Sequence, residues 1–183
     1  SNDEIIRRHY KNQAKKGTSH LSTTPDEIMR NKEIELILNF FSVIKKFKKA
    51  KLNLLDVGCG NGYTLSLLSK SEPQNLYWGI DYTEELISIA KERELTCCKF
   101  NQGDVRSLKF ESNFFDAVYS ERCLINILDL EEQKLAFKEV KSLIARYPEY
   151  RLKALTEENK ILNNLIPIME ETLEVMEKQF PNV

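Results

Sequence analysis

Apolar residues recur at helical spacing through Ile28, Ile34, Ile37, Leu38, Phe41 and Ile44, which predicts an amphipathic helix. Thr24-Pro25-Asp26-Glu27 marks its start: Thr24 can cap, Pro25 suits the first helical position and Glu27 can complete a capping box. The residues before it are polar and weakly patterned. Leu52 to Val57 is a short apolar run ending in glycines and reads as a buried parallel strand. Tyr63 to Lys70 reads as a helix, and Leu76 to Ile80, ending at Asp81, as a second strand. Thr83 can cap a helix containing Leu86, Ile87 and Ala90. Cys97 to Asn101 and Phe114 to Tyr119 read as third and fourth strands. Asp129 then caps a long helix, with Glu132 at the capping-box position, expected to run to about Tyr147 before Pro148.

Strands alternating with helices predict an α/β fold, a Rossmann-like parallel sheet. The expected organisation is an N-terminal segment and helix over 1–49, an α/β core over 50–147 and a helical tail over 148–183. In the tail, Leu155, Leu162, Met169 and Met176 recur every seven residues, as do Leu152, Asn159, Ile166, Leu173 and Phe180. Together they match a coiled-coil seam. Ile161, Ile168 and Val175 widen the apolar face, which equally suits packing on a globular body. Pro167 argues for two helices or one kinked helix.

The chain has 183 residues and a formal net charge of −1, so no bulk field marks it as a nucleic-acid binder, and no nucleic-acid partner is expected. The run Lys45, Lys46, Lys48, Lys49 and Lys51 reads as a solvated helix end. No apolar run is long enough to cross a membrane and no signal peptide opens the chain, so a cytoplasmic location is expected; Ser1 and Asn2 read as a remnant of tag cleavage. Cys59, Cys97, Cys98 and Cys123 form no C-x-x-C pair and there are two histidines, so no metal site is expected. Cys97 and Cys98 read as buried thiols.

The candidate chemistry lies in Asp56-Val57-Gly58-Cys59-Gly60-Asn61-Gly62, where a strand ends, glycines alternate and a helix begins. Glycines let the backbone turn sharply and approach a ligand closely. Asp81 ends the second strand, where an acid can accept hydrogen bonds from ribose hydroxyls. Asp104 follows the third strand, and the fourth ends near Ser120. All lie at the carboxyl ends of strands, where ligands of open α/β sheets bind. A dinucleotide fingerprint G-x-G-x-x-G is not met, because position 63 is tyrosine.

On LDVGCGNG (55–62), GID (79–81), QGDV (102–105) and FDAVYS (115–120), the chain resembles the class I S-adenosylmethionine-dependent methyltransferases. The resemblance covers roughly residues 50 to 146 and implies S-adenosyl-L-methionine as cofactor. It would place Gly58, Cys59, Gly60 and Gly62 around the methionine portion, with Asp56 holding that end directly or through water. Asp81 would bind the ribose hydroxyls and Tyr82 lie against the adenine. Asp104 would accept from the adenine amino group beside Val105, and Ser120 would lie near the methionine or the methyl group. A weak nucleophile would need a base, for which Glu121, His20 and Tyr10 are the candidates.

Ser120-Glu121-Arg122-Cys123 lacks the signature of nucleobase amino-methyltransferases, and with the Thr-Pro-Asp-Glu helix start is similar to bacterial small-molecule methyltransferases. The expected function is methyl transfer to a small molecule or sugar-type acceptor. The chain departs from the family after residue 146: no Val/Ile-rich strand follows residue 120, and the sheet is expected to stop at four strands with the fourth as an open edge. A truncated or internally deleted chain, a tail covering the edge, or a partner chain completing the site would account for this. The alternative function is therefore a non-catalytic, methyltransferase-like binding or assembly module, with homo-oligomers forming through the tail or the sheet edge.

Overall fold

The structure is a computed structural model and describes residues 2–22, 26–47 and 51–144. In chain order the elements are α1 (Asn2–Ala14), α2 (Glu27–Phe47), β1 (Asn53–Val57), α3 (Tyr63–Ser71), β2 (Leu76–Asp81), α4 (Glu84–Lys91), β3 (Cys98–Gln102), β4 (Ala117–Ser120), a 3-10 turn (Leu124–Asn126) and α5 (Leu130–Leu143). The four strands pair in parallel in the order β3-β2-β1-β4. The heptad-spaced tail from Arg151 lies outside the described residues.

Successive strand residues point to opposite faces, and both faces are covered, which is why the consecutive β1 residues Leu54 and Leu55 are both apolar. Leu54 and Tyr77 pack on one face with Leu65, Leu68, Ile87, Ala90 and Phe41, residues of α2, α3 and α4. Leu55, Val57, Trp78 and Ile80 pack on the other with Phe115, Ala136 and Leu143, the last two from α5. The central β1 leucines are fully enclosed, each contributing about 1.5–3 kcal/mol by burial.

Several local expectations are corrected. The helix starts at Glu27 with Asp26 as its cap: Asp26 Oδ1 accepts from the backbone N–H of Met29 at 2.9 Å. A carboxylate one residue before the helix reaches that N–H, so the start does not rest on Thr24, which lies outside the described residues. Ile28 is 80% exposed, and Arg30 takes the inward place instead. Residues 30, 34, 37, 41 and 44 form one helical row, with Ile34 and Phe41 buried and Ile37 and Ile44 partly so.

β4 pairs with β1 over Ala117–Ser120, preceded by a bond from Asp116 N–H to Asn53 O (2.8 Å), while on its other edge the backbone N–H groups of Asn113 and Phe115 donate to Ser142 and Leu143 at the end of α5. The same contact shortens α5. Ile144 turns extended (φ −79, ψ 124) and bridges Phe115, ending the helix before Tyr147. β3 is shifted by one residue, to Cys98–Gln102, and Cys97 and Cys98 are half-buried at its start. Asp129 caps α5 as expected, its Oδ1 accepting from Glu132 N at 2.9 Å, but the Glu132 carboxylate reaches Arg106 (2.7 Å). The weakly patterned N-terminus forms α1, a polar helix whose one buried apolar residue is Ala14.

Candidate functional site

β1 leads into a left-handed bend. Gly58 has φ +84, and a Cβ there would fall 2.5 Å from Cys123 Cβ, so both backbone and space demand glycine. The bend is tied to the end of β2. The N–H groups of Gly58 and Cys59 both donate to Ile80 O (2.8 and 2.9 Å), and Gly60 N donates to Asp81 Oδ2 (2.9 Å). Gly62 faces inward instead, where a Cβ would meet Phe100 at 2.9 Å. Ala90 of α4 lies 3.0 Å from the same position, so the start of α3 comes close to both β3 and α4.

A cleft of about 1050 Å³, its open mouth included, lies at the carboxyl ends of β1, β2 and β4 and against the turn after β3. The strand order reverses between β1 and β4, and chains leaving the sheet there diverge, leaving a crevice. Asp56, Gly58, Cys59, Gly60, Asp81, Tyr82, Asp104 and Val105 line it, as do Glu121 and Tyr10. Gly62, Ser120 and His20 do not. Ser120 Oγ donates to Val57 O (3.0 Å), and His20 lies beside Tyr63 and 3.5 Å from Glu27.

The acids are held in different ways. Asp56 Oδ2 accepts from the Tyr119 hydroxyl (2.8 Å), whereas its buried Oδ1 has no partner among the described residues. Burial pushes the Asp56 carboxyl up to about 8. Asp81 accepts from Gly60 N on one oxygen and Thr83 N on the other (2.8 Å), and burial raises its pKa. The Thr83 side chain adds a third bond; a carboxylate offers about four acceptor positions, so roughly one stays open to a ligand. Asp104 is gripped by Arg106, which donates Nε at 2.9 Å and Nη2 at 2.6 Å; partial burial raises the acid, and these hydrogen bonds outweigh it to hold it below its usual range.

Arg30, Asn61, Thr64, Arg106 and Arg122 also line the cleft and were not singled out in the sequence. Arg30 is buried, pairs with Glu121, and donates Nη2 to Thr64 Oγ1 (2.8 Å), while its Nε is buried without a partner. The legible signal for it was its register on the apolar row of α2. Arg122, with φ +56, pairs with Glu121 at 2.9 Å. Burial works to raise Glu121, but the Arg30 charge and the surrounding hydrogen bonds outweigh it, and its pKa is lowered. α1 brings Asp3, Ile6 and Tyr10 onto the wall from one helical face. The Tyr10 oxygen accepts from Asn126 Nδ2 (2.9 Å), and burial raises its pKa, keeping it a phenol at neutral pH.

Among the described residues no group of three or more His, Cys, Asp or Glu is placed to hold a metal ion, and no helix is long and apolar enough to cross a membrane.

Residues 54–146 match the family described as "Methyltransferase domain". The chain is 28% identical over 87 residues to a malonyl-[acyl-carrier protein] O-methyltransferase of Bacillus cereus, covering 46% of this chain and 32% of that one. It is 32% identical over 71 residues to a trans-aconitate 2-methyltransferase of Deinococcus radiodurans, covering 39% and 26%. The chain thus spans about a third or less of the length of these curated relatives. Among solved structures, the fold is similar to that of a putative S-adenosyl-L-methionine-dependent methyltransferase from Methanococcus maripaludis. That likeness has a TM-score of 0.56 at 21% identity and covers 76% of this chain and 59% of that one.

Proposed function

The chain belongs to the methyltransferase-domain family, whose cofactor is S-adenosylmethionine, and from that premise we propose that its cleft binds the cofactor for methyl transfer to a small-molecule acceptor. The observation that carries this reading is the partly unsatisfied polar lining. Among the described residues Asp56 Oδ1 and Arg30 Nε are buried without partners and Asp81 keeps acceptor capacity, and all three residues line the cleft. A buried polar atom left unpaired costs about 1–3 kcal/mol, and because both atoms are sealed from solvent a ligand relieves that cost only where the side chains shift to meet it. The cofactor offers a carboxylate for Arg30, an ammonium for Asp56 and ribose hydroxyls for Asp81, so the residues present fit it. Tyr82 and Val105 then flank the base. Asp104 serves the adenine end with Arg106 in its grip.

When bound, S-adenosylmethionine supplies an activated methyl group. The chain's own residues position it and exclude water. In this reading the acceptor arrives as a competent nucleophile, since Glu121 is committed to Arg30 and Arg122 and Tyr10 keeps its proton. The relatives' names include an acyl-carrier-bound malonyl group and trans-aconitate, both carboxylic acids, which makes carboxylates the first acceptors to try beside the sugar-type acceptors expected from the sequence.

The test is calorimetry with S-adenosylhomocysteine, followed by incubation with radiolabelled S-adenosylmethionine and a panel of dicarboxylates, tricarboxylates and sugars. Saturable binding and label in an acceptor support the reading. Binding with no transfer to any acceptor would favour the non-catalytic module, and a folded protein ignoring both adenosyl compounds refutes the cleft as a cofactor site.

A further inference from the structure

The connection after α1 is gripped by the glycine bend itself. Asn61 is 3% exposed, and its Nδ2 donates to the carbonyls of Gly17 (2.8 Å) and Ser19 (2.9 Å). Arg93, just beyond α4, completes the grip. Its Nε donates to Asn61 O and its Nη2 to Thr18 O, both at 2.7 Å. Three consecutive carbonyls at the foot of α1 are therefore bound by two side chains, one of them belonging to the loop that lines the cleft. Gly17 has φ +59 with nothing near its Cβ position, so the chain turns there without packing of its own.

The rest of α1 is held differently. Asp3 meets Arg106 (3.0 Å), Lys11 meets Glu85 (2.6 Å), Arg7 lies 4.5 Å over the Tyr82 ring, and Tyr10 meets Asn126. The Lys11 and Glu85 side chains are 63% and 41% exposed, and such surface pairs hold weakly. A polar helix that lies over a cleft through weak contacts, with a firm foot, has the energetics of a lid.

We propose that Asn61 and Arg93 are positioning residues, which fix the foot of α1 to the glycine bend so that α1 stays across the cleft and slows escape of the bound cofactor. The proposal rests on the cofactor reading above. It couples the two sides physically, because the loop that touches the ligand also anchors the helix that covers it.

The test uses the full chain, with S-adenosylhomocysteine as probe, in wild type, Arg93→Ala, Asn61→Ala and Lys11→Ala. Arg93 lies off the cleft wall, so Arg93→Ala removes the grip without removing a lining side chain. Asn61 Oδ1 also accepts from Tyr63 N (3.2 Å) at the start of α3, so its variant is the less clean of the two. Dissociation rates come from stopped-flow displacement, and amide hydrogen exchange follows residues 2–22 with and without probe. Expected is dissociation faster by about tenfold in Arg93→Ala and Asn61→Ala, the scale of one or two lost hydrogen bonds. Association changes little, α1 exchanges faster, and β1 and β2 amides are unchanged. Lys11→Ala stays close to wild type.

An unchanged dissociation rate in Arg93→Ala overturns the proposal, whether or not α1 exchange rises, since faster exchange alone would mean a merely structural tie. Equal loss of protection in β1 and β2 also overturns it. If wild type does not bind the probe, the cofactor reading fails first and the release-rate role falls with it. The exchange data then separately show whether Arg93 holds the foot of α1.

Discussion

Replacing Asp81 by alanine tests the centre of the site. Asp81 takes internal hydrogen bonds from Gly60 N, Thr83 N and the Thr83 side chain, and has about one acceptor position left over. In the proposed bound state that position would take a ribose hydroxyl. Hydrogen bonds to a charged group contribute about 1.5–3 kcal/mol, so Asp81→Ala weakens S-adenosylhomocysteine binding by about 10- to 150-fold. The internal bonds act on the free protein too, at about 0.5–1.5 kcal/mol each. The variant should therefore lose a modest part of its stability in urea and remain folded. Asp81→Asn separates the contributions: its one carbonyl oxygen keeps one internal partner, its NH2 cannot accept, and binding falls while stability drops less. Calorimetry on both variants, with urea melts of the free proteins, reads the two effects independently. Wild-type affinity in a folded Asp81→Ala protein would refute the reasoning, because no ligand group would then depend on this acid.

Gly58→Ala is expected to destabilise by about 2–4 kcal/mol, from a left-handed backbone and a Cβ forced 2.5 Å from Cys123 Cβ, and Cys123→Gly in the same chain should recover only the steric share. Glu121→Ala leaves Arg30 buried and uncompensated and should cost about 3–5 kcal/mol by denaturant melt, while Arg30→Met with Glu121→Leu recovers most stability yet weakens cofactor binding. Asp56 links stability to pH. Its folded pKa near 8 lies above the ordinary 3.8, so between these values the folded state binds the extra proton. Stability of the free protein should then fall as pH rises from 5 to 8, by up to about 1.4 kcal/mol per unit. Asp56→Asn should flatten that slope; an identical slope in the variant would remove Asp56 as its source.

The sequence by itself determined the alternation of strands and helices, the glycine bend after β1, the acid at the end of β2 and the Asp129 cap. These are local signals: an apolar run, a turn that only glycine allows, a side chain reaching an N–H three residues on. They carry the family match as well, since it spans the same stretch. Contacts across long separations were decided by the tertiary structure alone. Arg30 meets Glu121 across 91 positions, and Arg106 meets Asp3 across 103. α1 is too polar for its periodicity to announce it, because it is held by charges on other elements and not by an apolar face of its own. Phe115 likewise reads as strand, yet its N–H goes to the end of α5, and the same encounter stops α5 short of the proline that local propensity had marked as its end. A backbone group takes whichever partner the fold brings within reach, and that choice is made by packing between elements, which no stretch of a few residues encodes.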